Sequence, residues 1–348
     1  MAGDLVLITG ATGHIGFRTL RYLIEYGYQV RVAVRSESKG ETLKAHPLLQ
    51  GVASSQMSFV TVPDFLAPGA FDAATKGVKY VVHLASPIPF RDGADPTDQE
   101  EHFVKPAVRG TIGMLESAKK AGSVKRVVIT SSLVVNVPVE VAFGTTPSDE
   151  VYTAESRIPV PQAPYMNAFV AYIASKVAAL AESEAWIEAN RASIHFDLID
   201  IMPSYVVGRD DLAMTSRAVN EGTNGAMLGT VLGENAGFGK SSNTVHVDDA
   251  ARVRVLALKP EVAGNQGFLV VSEGAKGTTW QDSLEIVKKH FPEEVANGTL
   301  PANGTAPTVV NKVDASKTEK TFGFVHKNYE EQVVSVVGHY LELKKKGL

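Results

Sequence analysis

Residues Leu5-Val-Leu-Ile-Thr-Gly-Ala-Thr-Gly-His-Ile-Gly16 constrain this chain more than any other stretch. Four apolar residues suited to a buried strand run directly into glycines at positions 10, 13 and 16. Phe17, Leu20, Leu23 and Ile24 then recur at helical spacing, with Gly27 as a C-terminal stop. A strand, a tight glycine turn and a helix N-terminus form a cradle for a pyrophosphate. Glycine lets the backbone come close, and the helix's first N–H groups and positive dipole end face the phosphates. Three spaced glycines alone would say little; their place at the head of a βα alternation makes them a nucleotide signal.

At 348 residues the chain predicts a main domain plus a smaller one. Its 44% hydrophobic and 21% charged content is ordinary for a soluble globular protein. A net charge of −4 gives no field that would recruit nucleic acid or an anionic membrane. With no cysteine there can be no disulfide, thiolate catalysis or thiolate metal site, which suits a reducing, cytoplasmic setting. The nine histidines lack metal-ligand spacing, so no metal is expected. The first strand starts within a few residues of Met1, which leaves no room for a signal peptide, and no apolar run approaches membrane-spanning length. The sequons at Asn297 and Asn303 read as polar loop.

Strand-like runs follow at Gln29–Val34, Met57–Val62, Val78–Leu84, Val124–Thr130 and His195–Met202, several nearly continuous in Val, Ile and Leu, as in strands covered on both faces. Helical stretches intervene, notably His102–Gly122, interrupted early by Pro106, and Ala168–Asn190. Repeated βα units predict an α/β, Rossmann-type doubly wound parallel sheet with a smaller C-terminal substrate-binding lobe. The expected division puts 1–203 in the nucleotide domain, with 243–272 returning to it. The lobe takes 204–242 and 273–348, including a terminal helix over Tyr329–Lys346. Glycine-rich Glu221–Lys240 is expected to be a mobile cover.

After the second strand stand Val34-Arg-Ser36 and Lys39, where an NAD-binding chain usually places an acidic residue for the ribose. Arg35 and Lys39 suit the 2′-phosphate of NADPH through charge-assisted hydrogen bonds, the alternative being a solvated loop. Asp64 either meets the adenine amino group or closes a turn. Tyr172 and Lys176 lie four apart on one helix face, with about 5–6 Å between Cβ atoms. A tyrosine titrates near ~10, and a lysine charge about 5 Å away at an effective dielectric near 20 contributes roughly 3 kcal/mol, about two pK units. Ser132, at the end of the strand Val127-Val-Ile-Thr-Ser-Ser132, can donate to a carbonyl oxygen gathering charge. These three fit hydride transfer to a ketone or aldehyde, with Tyr172 as general acid. The same spacing recurs at Tyr340 and Lys344, read as surface because no strand-end serine precedes it.

With these residues in view, the chain resembles the extended short-chain dehydrogenase/reductases over nearly its whole length. Within them it is most similar to the branch of dihydroflavonol reductases, cinnamoyl-CoA reductases and yeast ketone or methylglyoxal reductases. Thr9-Gly-Ala-Thr-Gly-His-Ile-Gly16, Val34-Arg-Ser, His83-Leu-Ala-Ser86, Pro106-Ala-Val-Arg-Gly-Thr111, Thr130-Ser-Ser132, Tyr172-Ile-Ala-Ser-Lys176, Pro203-Ser-Tyr205 and Val245-His-Val-Asp-Asp-Ala250 carry the likeness. The resemblance implies NADP(H) as cofactor and a triad of Ser132, Tyr172 and Lys176, the lysine also holding the nicotinamide ribose. Cofactor contacts are implied at Thr9, Gly10, Thr12, Gly13, His14, Ile15 and Gly16, and at Arg35, Lys39, Asp64 and Phe65. Further contacts are implied at Leu84, Ala85, Ser86, Thr130, Pro203, Ser204 and Tyr205. Ala107 stands where many relatives carry an asparagine that supports a proton-relay water.

The expected activity is NADPH-dependent reduction of a small or aromatic carbonyl compound to an alcohol, by a monomer or homodimer. Ser132, Leu133, Tyr165, Phe169, Tyr172 and Tyr205 are expected to wall the substrate pocket, with Met166; the other reading of these side chains is plain core. His246 and Asp248 read as structural. One rival is a nucleotide-sugar epimerase or dehydratase, for which Arg209 and Arg217 would form a phosphate pocket. Another is an NADP-sensing regulator, against which Tyr172 and Lys176 count.

Overall fold

The computed structural model describes residues 3–86 and 98–348. The chain opens with β1 (Leu5–Thr9), α1 (His14–Glu25), β2 (Gln29–Val34), α2 (Glu37–Lys44), β3 (Met57–Thr61) and β4 (Tyr80–His83). A π-helical turn, Glu100–Val104, leads into α3 (Lys105–Ala121), followed by β5 (Arg126–Thr130), α4 (Val139–Ala142), α5 (Ala168–Asn190) and β6 (Asp197–Pro203). Next come β7 (Tyr205–Val207), α6 (Ser216–Val219), α7 (Gly222–Val231), β8 (Lys240–Ser241), β9 (Thr244–His246), α8 (Val247–Leu256) and β10 (Gln266–Val270). The chain closes with α9 (Ser283–His290), α10 (Pro292–Ala296), β11 (Thr308–Val309), α11 (Ser316–Phe322) and α12 (Tyr329–Lys345).

Seven strands form one sheet in the order β10-β6-β5-β4-β1-β2-β3. The registers of β1 with β2 and β4, β2 with β3, and β5 with β4 and β6 are all parallel. The chain builds outward in opposite directions from β1 and β4, and ligands of such sheets bind beyond the C-terminal ends of the strands at that switch point. Two compact units result: Met1–Val135, Arg157–Met202 and Ala251–Phe268 form the first, and Asn136–Ser156, Pro203–Ala250 and Leu269–Leu348 the second. Asn136–Ser156 thus belongs to the second unit, and the return to the first comes at Ala251.

In the first unit Leu7, Val81, Val127 and Leu198 from the strands meet Met114 and Leu115 of α3, all buried. Truncating any of these leucines to alanine would cost about 2–5 kcal/mol. The helix expected over His102–Gly122 is a wide turn first and an α-helix only from Lys105, with Pro106 in its first turn. A proline has no N–H to donate, so the regular ladder starts where that loss is harmless. Arg126 ties the returning segment down. Its Nε and Nη2 donate to Asp197 (2.6 and 2.8 Å), Nη1 to the carbonyls of Ala257 and Lys259 (2.7 and 2.8 Å), and Nη2 also to Val262 (2.7 Å).

The second unit builds its core around Trp280, Leu228, Val231, Val287, Val333 and Val337 from α7, α9 and α12. Two expectations fail here. The segment expected to be a mobile cover contains α7, whose Met227, Leu228 and Val231 are wholly buried. Its glycines serve close approach instead: a Cβ at Gly225 would sit 2.6 Å from the Asn220 carbonyl oxygen, and one at Gly229 2.5 Å from Glu234. Tyr340 is not on the surface but in this core, and Lys344 donates to its hydroxyl at 3.2 Å. Among the described residues no helix is long and apolar enough to cross a membrane.

Candidate active site

The glycine turn is shaped by backbone that leaves no room for side chains. Gly10 has φ +77°, and a Cβ there would lie 2.9 Å from the Ala85 nitrogen; at Gly16 it would lie 2.0 Å from the Gly10 carbonyl oxygen. Gly13 starts α1 without a side-chain cap, and the first turn carries no carboxylate. The N–H groups of that turn therefore point at whatever anion enters, with exposed Thr12 and half-buried His14 and Ile15 beside them. Thr9 couples this turn to the end of β4. Its hydroxyl accepts from the Leu84 and Ala85 nitrogens (3.2 and 3.1 Å), so its proton goes to His83 Nδ1 at 2.9 Å. Burial, and then the Lys176 charge, lower the His83 pKa to about 4, which keeps the imidazole neutral and able to accept. This cradle fits a dinucleotide pyrophosphate.

At the end of β2, Arg35 and Lys39 are exposed, and Ser36 caps α2 by accepting from the Lys39 nitrogen at 3.4 Å. Asp64 closes a turn, its Oδ1 accepting from the Leu66 nitrogen at 2.8 Å. Phe65 packs edge-on against Phe71, with ring centroids 5.1 Å apart.

Asn167 starts α5 by accepting from the nitrogens of Phe169 and Val170, and the helix then carries Tyr172 and Lys176 on one face. Lys176 is buried, and its Nζ donates to Ser86 Oγ at 3.0 Å and to the Thr130 carbonyl at 3.4 Å. The same Nζ lies 5.7 Å from the centroid of the half-buried Tyr172 ring. Burial, and then the Arg254 guanidinium, lower the Lys176 pKa to about 8. Arg254, itself fully buried, donates from Nε to Thr130 Oγ1 at 3.0 Å. Ser132 is buried at the end of β5; its Oγ accepts from the Val134 nitrogen at 3.4 Å, leaving its own proton to donate. The single turn Leu133–Val135 that follows packs on α5.

Of the aromatic residues expected to wall a pocket, Phe169 stacks on Tyr172 at 6.0 Å. Tyr165 packs against Phe103, Ala168 and Ala171, and its hydroxyl donates to Glu100; burial and that bond push it far above the usual phenol range. Leu133 is buried, whereas Met166 is 83% exposed. In the second unit Pro203 ends β6, the Ser204 nitrogen donates to the Val270 carbonyl at 3.3 Å, and Tyr205 packs edge-on against Trp280 at 5.4 Å. His246 Nδ1 accepts from the Asp248 nitrogen at 3.0 Å, and Asp248 receives Lys327 at 2.6 Å, a local structural knot. Arg209, one of the two arginines weighed for a phosphate pocket, is held by Asp211 (2.9 Å) and Glu342 (2.6 Å).

Besides Ser86 and Thr130, Lys176 has neighbours for which no role was expected from sequence: His83, Ser183, Asp200 and Arg254. A cavity in the first unit is lined by His83, Ser86, Thr111, Thr130, Ser131, Lys176, Ser183 and Asp200 on its polar side and by Ala85, Ile129, Ala179 and Leu180 on its apolar side. Asp200 is the only acid among them. One signal was available: a carboxylate in the middle of the apolar strand Leu198-Ile-Asp-Ile-Met202. Arg254 and His83 offered none, since their importance lies in contacts with residues far along the chain.

The chain is similar to known proteins over nearly its whole length. A family model described as the NAD dependent epimerase/dehydratase family matches residues 6–271. Ketoreductase CTB6 of Cercospora beticola is 45% identical, over 99% of this chain and 97% of its own. The NAD-dependent epimerase/dehydratase FUM13 of Gibberella moniliformis is 34% identical, over 98% and 96%. The crystal structure of yeast methylglyoxal/isovaleraldehyde reductase Gre2 complexed with NADPH superposes with a TM-score of 0.82 at 26% identity, covering 98% of this chain and 99% of that one.

Proposed function

The chain belongs to the NAD dependent epimerase/dehydratase family, and from that premise we propose that it is an NADPH-dependent ketoreductase acting on a small or aromatic ketone or aldehyde. The observation that carries this reading is the buried Lys176 ammonium beside the Tyr172 ring, fixed there by Ser86 and Thr130. NADPH, when bound, supplies the hydride. Gly10, Gly13 and Gly16 with the first turn of α1 would hold its pyrophosphate, Arg35 and Lys39 its 2′-phosphate, and Leu84, Ala85 and Ser86 the inner ribose and ring.

Ser132 donates a hydrogen bond to the substrate oxygen as negative charge grows on it. Tyr172 passes its phenolic proton to that oxygen, and Lys176 lowers the cost of the phenolate left behind. Burying the ammonium strengthens this effect, because an interior charge is screened less than one in water. Relatives named as ketoreductases and a structural neighbour solved with NADPH support the reaction and the cofactor.

The test follows absorbance of the reduced nicotinamide with a panel of ketones and aldehydes. Wild type should consume NADPH, whereas Tyr172→Phe should bind NADPH normally and lose about 10²–10⁴-fold in kcat. Near-normal turnover by Tyr172→Phe refutes the assignment.

A further inference from the structure

We propose that Asp200 and the cavity it shares with Lys176 form the route by which Lys176 regains its proton during turnover, an inference that rests on the reductase reading above. Three independent observations converge on that cavity. Lys176 Nζ has three N–H groups; two are directed to Ser86 and the Thr130 carbonyl, and the ammonium lines the cavity. Ser131, buried in the wall, has a hydroxyl without a hydrogen-bond partner among the described residues. Asp200 is 5% exposed and stands among the apolar residues Leu198, Ile199, Ile201 and Met202 of β6, opposite Ile129 in register. Apolar Ile129 and Leu180 share the wall with these groups, and a space with such polar partners is one that water enters and bridges.

The charges around Asp200 define a direction. Lys176 and His83 face the same cavity, and His83 stays neutral. The charges that act on Asp200 are those of Glu184 on α5 and Arg157 before it, a 2.6 Å ion pair half-exposed at the surface. Burial is the main cause that raises the Asp200 pKa to about 7, with Glu184 adding to it and Arg157 opposing. The carboxyl is thus half-protonated near neutrality, able both to give and to take a proton.

The proton count closes. Tyr172 gives its phenolic proton to the substrate oxygen, and one from the Lys176 ammonium replaces it. The neutral amine takes a proton from cavity water, Asp200 restores that water, and solvent beside Arg157 and Glu184 reprotonates the Asp200 carboxylate. Asp200 acts through Lys176 and touches neither substrate nor cofactor. The route uses no group of Ala107, which is buried on α3.

The test uses the full-length enzyme with NADPH and a carbonyl substrate that wild type reduces. Asp200→Asn should lower kcat about tenfold at neutral pH, leave KM and NADPH affinity unchanged, and erase the limb of the pH–rate profile that Asp200 contributes. Asp200→Glu should restore most of the rate. An Asp200→Asn enzyme with wild-type kcat and an unaltered pH profile overturns the relay. Should that variant fail to fold, a proton inventory of the wild type in H2O/D2O mixtures decides. A curved plot reports several protons moving in a chain, and a straight line with an isotope effect near unity overturns it. A wild type that reduces no carbonyl overturns the reductase reading itself, a result distinct from either of these.

Discussion

Replacing Lys176 with methionine should make the protein easier to fold at neutral pH and useless as a reductase. Folding moves this ammonium from its ordinary 10.5 to about 8, chiefly through burial, a cost of about 3 kcal/mol. Because the unfolded chain holds the proton more tightly, that cost is fully present below pH 8 and fades as pH rises towards 10.5. Methionine fills similar volume without charge, but it gives up the bonds to Ser86 and the Thr130 carbonyl, together worth about 1–3 kcal/mol. The net gain at pH 7 is therefore modest, about 0–2 kcal/mol. The diagnostic quantity is its pH dependence. In urea unfolding of both proteins without cofactor, wild type should gain about 3 kcal/mol on Lys176→Met between pH 8 and 10.5, because other titrations cancel in the difference. A stability difference that stays flat across that window refutes the claim that the site holds its lysine at an electrostatic cost.

Arg35→Ala should weaken NADPH binding by about 10–100-fold, the worth of a charge-assisted contact to phosphate, and change NADH binding by less than about threefold. Equal losses measured by titration with the two cofactors would show that Arg35 does not read the 2′-phosphate. Gly16→Ala places a methyl 2.0 Å from the Gly10 carbonyl oxygen. Because the opposing atom is backbone, the strain should reach about 3 kcal/mol and abolish NADPH binding; a variant with wild-type affinity would mean the turn is looser than described.

The first unit was largely legible, and the reasons are local. Runs such as Val127-Val-Ile announce strands buried on both faces, and Asn167 caps a helix whose bounds, Ala168–Asn190, match the expected ones. The glycine turn was readable because only glycine tolerates its geometry. The π-turn Glu100–Val104 was not, because its wide ladder follows from how that segment packs on α5 and α3. In the second unit, the glycines of α7 read as flexibility, whereas Gly225 and Gly229 mark places where Asn220 and Glu234, on either side of the helix, come too near for a side chain. Tyr340 misled for a related reason. The lysines and glutamates of α12 mask a face of Val333, Val336, Val337, Tyr340 and Leu341 that only tertiary packing reveals. Asp200 and Arg254 illustrate the other limit: a buried charge is visible in sequence, but its neighbours are not.

Arg126 makes closure of the sheet a self-contained matter. With every guanidinium donor engaged, either by one carboxylate or by carbonyls gathered at 257, 259 and 262, the returning strand finds its place whatever the chain does between 203 and 250. Such a clasp predicts that shortening the excursion leaves the fold of the sheet intact.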